Sequence, residues 1–227
     1  MKTIKAVIFD LDGTLLNTID DIADSMNSAL AKRGLPPHSV DEYKQYVGDG
    51  AANLVRRSAA DAGLAEGALV QLEAEYKAEY QTRKTYKTKP YTGIPDLLSA
   101  LAERNVKIAV LSNKPHVDTL DVMAYFFPDT SFGALIGHRP GHPVKPDPSG
   151  AFEILDILGL PPEEVLYVGD SGTDMQTATA AGLKSVGALW GFRDKKELVD
   201  NGAGILAEQP LDILRACAIP LDKPRGI

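Results

Sequence analysis

The sequence has almost no cysteine. Cys217 is the single one among 227 residues, which excludes an internal disulfide framework and a cysteine-rich zinc site. It fits a reducing compartment, and its distance from the C-terminus excludes a prenylation signal. Long apolar runs are missing too, so no stretch is suited to spanning a bilayer. Asp10 and Asp12 interrupt any signal-peptide core near the N-terminus. Nor is there an excess of positive charge: 24 Lys and Arg stand against 31 Asp and Glu, for a net charge of −7. That argues against a general binder of nucleic acid or acidic membrane, although it leaves room for a local basic pocket. Internal repeats and low-complexity segments are absent. These absences lead us to expect a soluble cytoplasmic protein, monomer or homodimer, with neither nucleic acid nor membrane as a partner.

What is there is ordinary in bulk and unusual in one place. An apolar fraction of 44% and a charged fraction of 24% suit a globular protein. The length suits one large domain or one domain with an insertion. The unusual stretch is KAVIFDLDGTLL, Lys5 to Leu16. Its apolar run does not alternate, so it reads as a strand buried on both faces, as in a parallel sheet. The run ends in Asp10, with Asp12 two residues on and Gly13-Thr14 directly after. Ligands of open α/β sheets bind at the carboxyl ends of strands. Two acids buried there need a positive partner, and a hard divalent cation prefers oxygen ligands. The plain alternative is a strand followed by an Asp-Gly turn.

The next segment is helical. Thr18 to Arg33 carries apolar residues at helical spacing, with Thr18 as a candidate N-cap, Asp21 where a capping-box acid would stand and Gly34 as the stop. Asp20 and Asp21 suit the positive end of the helix dipole, and Asp24 reads as solvated. Val40 to Val47, Ala51 to Ala62 and Ala68 to Arg83 are further helices. The face Leu69, Leu72, Tyr76 and Tyr80 reads as inter-helix packing. Gly48-Asp49-Gly50 between them reads as a tight loop, either an ordinary turn or a source of backbone amides for a ligand.

From Tyr91 strands and helices alternate. Strands are expected at 106–111, 134–136, 165–168, 185–189 and 204–207. Helices are expected over 94–105, 116–125, 148–158, 174–181, 195–199 and 211–216, with a loosely packed tail from Pro220 to Ile227. The pattern predicts an α/β fold, a doubly wound parallel sheet with right-handed crossovers. An all-helical cap, residues 15–87, is inserted into a core of residues 1–14 and 88–227, and hangs over the first strand's carboxyl end.

Strand ends then offer Asp10, Asp12 and Thr14 from the first, Ser112 and Asn113 from the second, and Asp170, with Ser171 and Asp174, from a later one. Lys145 comes from the loop before the Pro148 helix. Several acids, a lysine and a hydroxyl at one edge suit phosphoryl transfer: a carboxylate nucleophile, a magnesium ion that neutralises phosphate, donors for the equatorial oxygens and a second acid for proton transfer. Singly, each has a dull reading. Ser112 could open a turn, Lys145 could be solvated, and Asp170 or Asp174 could cap a helix.

In order and spacing, DLDGTL (10–15), LSN (111–113), KPDP (145–148) and GDSGTD (169–174) resemble the four motifs of the haloacid dehalogenase superfamily of phosphotransferases. The likeness spans essentially the whole chain, and the SNKP form at 112–115 is most similar to phosphoglycolate phosphatases. The resemblance implies Asp10 as nucleophile and Asp12 as general acid/base. It implies Mg²⁺ held by Asp10, Asp170 and the backbone carbonyl of Asp12. Ser112 and Lys145 would hold the phosphoryl group, Asn113 and Thr14 would support it, and Asp174 would steady the metal site or Lys145. In the cap it places Gly48, Asp49 and Gly50 at a substrate-specificity loop, with Arg56 reaching a substrate carboxylate, although Arg56 also reads as a solvated helix residue. The expected activity is Mg²⁺-dependent hydrolysis of a small phosphorylated metabolite, 2-phosphoglycolate first. A β-phosphoglucomutase-like mutase, another small-metabolite phosphatase or pyrophosphatase, and a receiver-like phospho-acceptor switch are the alternatives.

Overall fold

A computed structural model describes residues 3–217; the expected tail, Pro220 to Ile227, lies outside them. The chain opens on β1 (Ala6–Phe9), all four residues of which are buried. It passes through a short β2 (Leu16–Asn17) into helices α1 (Ile19–Lys32), α2 (Val40–Tyr46), α3 (Ala51–Ser58) and α4 (Glu66–Arg83), and returns through β3 (Lys89–Pro90). The remainder alternates: α5 (Ile94–Glu103), β4 (Lys107–Pro115), α6 (His116–Phe126), β5 (Ala134–His138), α7 (Ser149–Leu158), β6 (Val165–Gly169), α8 (Gly172–Ala180), β7 (Lys184–Ala188), α9 (Lys195–Asp200), β8 (Ile205–Ala207) and α10 (Asp212–Ala216).

The main sheet has six strands in the order β5-β4-β1-β6-β7-β8, and every neighbouring pair is parallel. Non-alternating apolar strands are explained by the two faces. Val7, Phe9, Val110 and Val168 pack on one side with α5 and α10 residues such as Leu97 and Ile213. Ala6, Ile8, Ala109 and Tyr167 pack on the other with Ile154 of α7 and Ala178 of α8. Cys217 is free and buried in the first of these clusters, where burial pushes its thiol up to about 12 and keeps it from reacting as a thiolate.

The four helices between β2 and β3 bury their own core of Ile22, Met26, Leu30, Tyr43, Leu54, Leu72, Tyr76 and Tyr80. β2 and β3 pair antiparallel, Leu16 opposite Pro90 and Asn17 opposite Lys89, so the segment leaves and re-enters the sheet domain at one place.

Three local expectations are corrected. The Thr18 side chain makes no cap hydrogen bond, and Asp21 does not close a capping box. Its buried carboxylate reaches across the chain instead, accepting from Lys87 N (3.0 Å), Thr88 N (2.8 Å) and Thr88 Oγ1 (2.7 Å). Asp24, expected to be solvated, pairs with Lys87 at 2.7 Å. And β4 continues through Ser112, Asn113 and Lys114 with a register shift between Leu111 and Pro115, where the sequence pattern ended it at Leu111. The Asp21 clasp carries a stability prediction. Asp21→Ala strands three donors, the two on Thr88 being buried, and we expect the unfolding free energy to fall by about 3 kcal/mol. The urea midpoint reads this at constant m-value; a loss under about 1 kcal/mol would show that the clasp contributes little.

Candidate active site

Register gathers the site. Phe9 is opposite both Val110 of β4 and Val168 of β6, so Asp10, Ser112 and Asp170 follow their strands out at one sheet edge. Lys145 is buried among them. Its Nζ lies 2.7 Å from Asp10 Oδ1 and 2.7 Å from Asp174 Oδ1. Asp174 is fully engaged: Oδ1 also accepts from the Tyr167 hydroxyl at 3.2 Å, and Oδ2 accepts from Ser171 N and Oγ at 3.1 and 2.6 Å. Ser171 and Asp174 are the capping box of α8, so the helix start fixes the acid that holds Lys145. Asp170 accepts from Thr14 Oγ1 at 2.9 Å and from Phe192 N at 2.8 Å. Gly13 and Gly191 are obligatory beside it: a Cβ on either would stand 2.2 Å from an Asp170 atom.

The charges do not balance among these groups. One oxygen each of Asp10, Asp170 and Asp174 lie within 4.8 Å of one another, three carboxylates against the single ammonium of Lys145. Burial, then the charge of Asp174, pushes Asp10 well above the usual carboxylate range; the same two causes push Asp170 up to about 7. Burial works against the charge on Lys145, but Asp10 and Asp174 outweigh it and hold its ammonium well above the ordinary lysine value. A crowd of buried oxygen donors with surplus negative charge is what a hard divalent cation requires. Asp10, Asp170 and Asp174 are together the group that could hold such an ion.

A cavity lies between this edge and the helical insertion. Asp10, Asp12, Ser112, Asn113 and Lys145 line it from the sheet; Ile22, Gly48, Leu54, Tyr76 and Tyr80 line it from the insertion. Asn113 connects the two sides. Its Nδ2 donates to Gly48 O at 2.9 Å and to Lys145 O at 3.1 Å, while its Oδ1 accepts from Lys145 N at 2.8 Å. Thr14 is hydrogen-bonded to Asp170 and does not line the cavity. Asp49 also stays off the wall: it pairs with Arg57 and accepts from Thr173 Oγ1 at 3.1 Å. Arg56 is on the outer surface, in a two-point ion pair with Glu66 at 2.8 and 2.5 Å, and does not line the cavity.

The sequence profile of the haloacid dehalogenase-like hydrolases matches residues 7–188. The chain belongs to the haloacid dehalogenase-like hydrolases. It is 30% identical to a phosphoglycolate phosphatase of Pseudomonas putida KT2440 over 224 residues, covering 95% of this chain and 80% of that one. A phosphoglycolate phosphatase of Mannheimia succiniciproducens MBEL55E is 30% identical over 217 residues, 93% of this chain and 97% of the relative. A crystal structure of a predicted phosphoglycolate phosphatase from Haemophilus somnus 129PT superposes with a TM-score of 0.88 at 28% identity, covering 95% and 99% of the two chains. This haloacid dehalogenase-like hydrolase is therefore an enzyme of the phosphatase type, and the receiver-like switch is set aside.

The motif reading of this hydrolase passed over several residues of the site. Lys114 lines the cavity and straddles both oxygens of Asp12 at 3.0 Å. The sequence pattern ended β4 at Leu111, and the register shift between Leu111 and Pro115 brings Ser112, Asn113 and Lys114 all to the cavity. Tyr76 and Tyr80, read as packing, both pack and line the cavity. Arg193 donates to Val47 O at 2.8 Å and to Lys44 O, tying the loop after β7 to the end of α2; nothing local in sequence marks that contact.

Proposed function

We propose that this hydrolase is a Mg²⁺-dependent phosphatase that removes the phosphoryl group of a small phosphorylated metabolite, 2-phosphoglycolate first, through an aspartyl-phosphate on Asp10. The observation that carries this reading is Lys145 bridging Asp10 and Asp174 beside Asp170 at one sheet edge. Relatives named phosphoglycolate phosphatase at 30% identity support the substrate.

Asp10, on the cavity wall, attacks phosphorus, and its carboxylate becomes the acyl phosphate. Lys145 and the Ser112 hydroxyl donate to the equatorial oxygens as charge moves onto them. Asp12, also on the wall, gives a proton to the departing alkoxide and takes one from the water that cleaves the acyl phosphate. Asp174 holds Lys145 in place and Thr14 holds Asp170. Asp10, Asp170 and the main-chain carbonyl of Asp12 would hold Mg²⁺, which when bound neutralises the phosphate and aligns it with an anionic nucleophile. Residues 15–87 act as the cap that excludes water and selects the alcohol, over a core of residues 1–14 and 88–227.

Phosphate release across a panel of phosphorylated metabolites with Mg²⁺ tests the reading. We expect kcat/KM for 2-phosphoglycolate to exceed that for sugar phosphates, nucleoside monophosphates and pyrophosphate by about 100-fold. A flat profile would refute a dedicated phosphoglycolate phosphatase, and net isomerisation of glucose 1-phosphate without free phosphate would favour the mutase.

A further inference from the structure

The proposed phosphoryl chemistry assigns no task to several polar residues of the cavity, and two of them stand out. Lys114 is one: its side chain is 4% exposed, and among the described residues its ion-pair partner is Asp12 alone. Its ammonium also stands 4.5 Å from the ring centre of Tyr80. An ammonium carries three donors and no acceptor, and Lys145 already serves the phosphoryl end. Tyr80 is the other. It is 3% exposed and lines the same cavity, yet its hydroxyl is buried without a hydrogen-bond partner. A buried polar group left unpaired is destabilising and calls for a reason. The two residues come from opposite sides, Lys114 from β4 and Tyr80 from α4.

We propose that Lys114 and Tyr80 together bind a second anionic group on the substrate, a carboxylate borne by the phosphoester carbon. The site thereby selects phosphomonoesters of short 2-hydroxy acids over neutral esters. The inference rests on the phosphatase reading of the Asp10 site. The distance restriction follows from Asp12. In the proposed reaction Asp12 faces the ester oxygen, and Lys114 lies 3.0 Å from Asp12, so the charge that Lys114 meets sits about three bonds from that oxygen, where a carboxylate on the ester-bearing carbon places it. A sugar phosphate has no anion there. Lys77 also lines the cavity but is 47% exposed and paired with Glu73 at 2.5 Å, so the buried lysine is the selective one. Tyr80 supplies a neutral donor from the insertion, which makes recognition of the carboxylate depend on the insertion's place over the sheet.

Matched substrates test this: 2-phosphoglycolate against ethyl phosphate, and 2-phospholactate against isopropyl phosphate, members of a pair differing in a carboxylate for a methyl. We expect the charged member to have a kcat/KM about 1000-fold higher in the wild-type enzyme, and Lys114→Met to cut that ratio about 100-fold. Tyr80→Phe, which removes only the hydroxyl, is expected to cut it about 10-fold and decides the matter should the lysine variant fail to fold. A wild-type ratio near one, or equal losses on both members in the variants, would overturn the proposal; equal losses would mean that Lys114 serves only to hold Asp12. If 2-phospholactate outruns 2-phosphoglycolate while both ratios stay high, the second-anion site stands and the 2-phosphoglycolate assignment falls.

Discussion

Replacing Asp10 by Asn is expected to lower kcat by about 10⁴-fold or more while the protein stays folded. The amide has the shape of the carboxylate but is a poor nucleophile, so the first chemical step fails. The fold tolerates the change for a reason visible in the charges. Burial and Asp174 push the Asp10 carboxyl well above the usual range, which means that the folded protein disfavours its ionised form. A neutral side chain therefore removes repulsion among the three clustered acids, at the cost of one ion pair to Lys145. The urea midpoint is expected to hold or rise, and kcat on 2-phosphoglycolate to collapse. Full activity would sink the nucleophile assignment, and a lowered midpoint would refute the charge argument.

Chelation has the next largest effect. Enzyme treated with EDTA is expected to lose activity by about 1000-fold and to recover it when Mg²⁺ is restored. Asp170→Asn is expected to raise the Mg²⁺ concentration for half-maximal activity by about 100-fold, because it replaces a charged oxygen donor with a neutral one. Binding can be read without turnover. An ion bound by the native state alone raises the melting temperature, so Mg²⁺ is expected to stabilise the chelated wild type and to do so far less for Asp170→Asn. Undiminished activity in EDTA would remove the metal from the mechanism.

The sheet was legible because its signal is local. Ala6 to Phe9 is buried on both faces, and such strands read as unbroken apolar runs. The convergence of Asp10, Ser112, Lys145 and Asp170 was legible for a different reason: strand ends of a parallel sheet lie at one edge whatever the loops do. What was not legible depends on contacts far apart in the chain. Asp21 has the spacing of a capping acid, but its partners are 66 and 67 residues away. Arg56 is an arginine in the right segment, yet Glu66 holds it on the outer surface. Tyr80 shows a helical packing period, and periodicity cannot reveal that the same ring forms a cavity wall. Lys114 was hidden by the strand boundary: a pattern that stops β4 at Leu111 assigns no facing to the residues beyond it.

The pairing of β2 with β3 has a consequence for how such enzymes change over generations. The helical segment starts and finishes at adjacent residues, Asn17 opposite Lys89. A piece of chain whose two ends coincide can be lengthened, shortened or exchanged without moving the scaffold that carries it. Asp10, Lys145, Asp170 and Asp174 all lie outside the piece, whereas Tyr80 lies within it. On the proposed role of residues 15–87, heritable variation could rewrite the list of acceptable alcohols while the phosphorus chemistry passes on unaltered, provided a replacement module met the contacts that Asn113, Thr173 and Arg193 now make with Gly48, Asp49 and Val47.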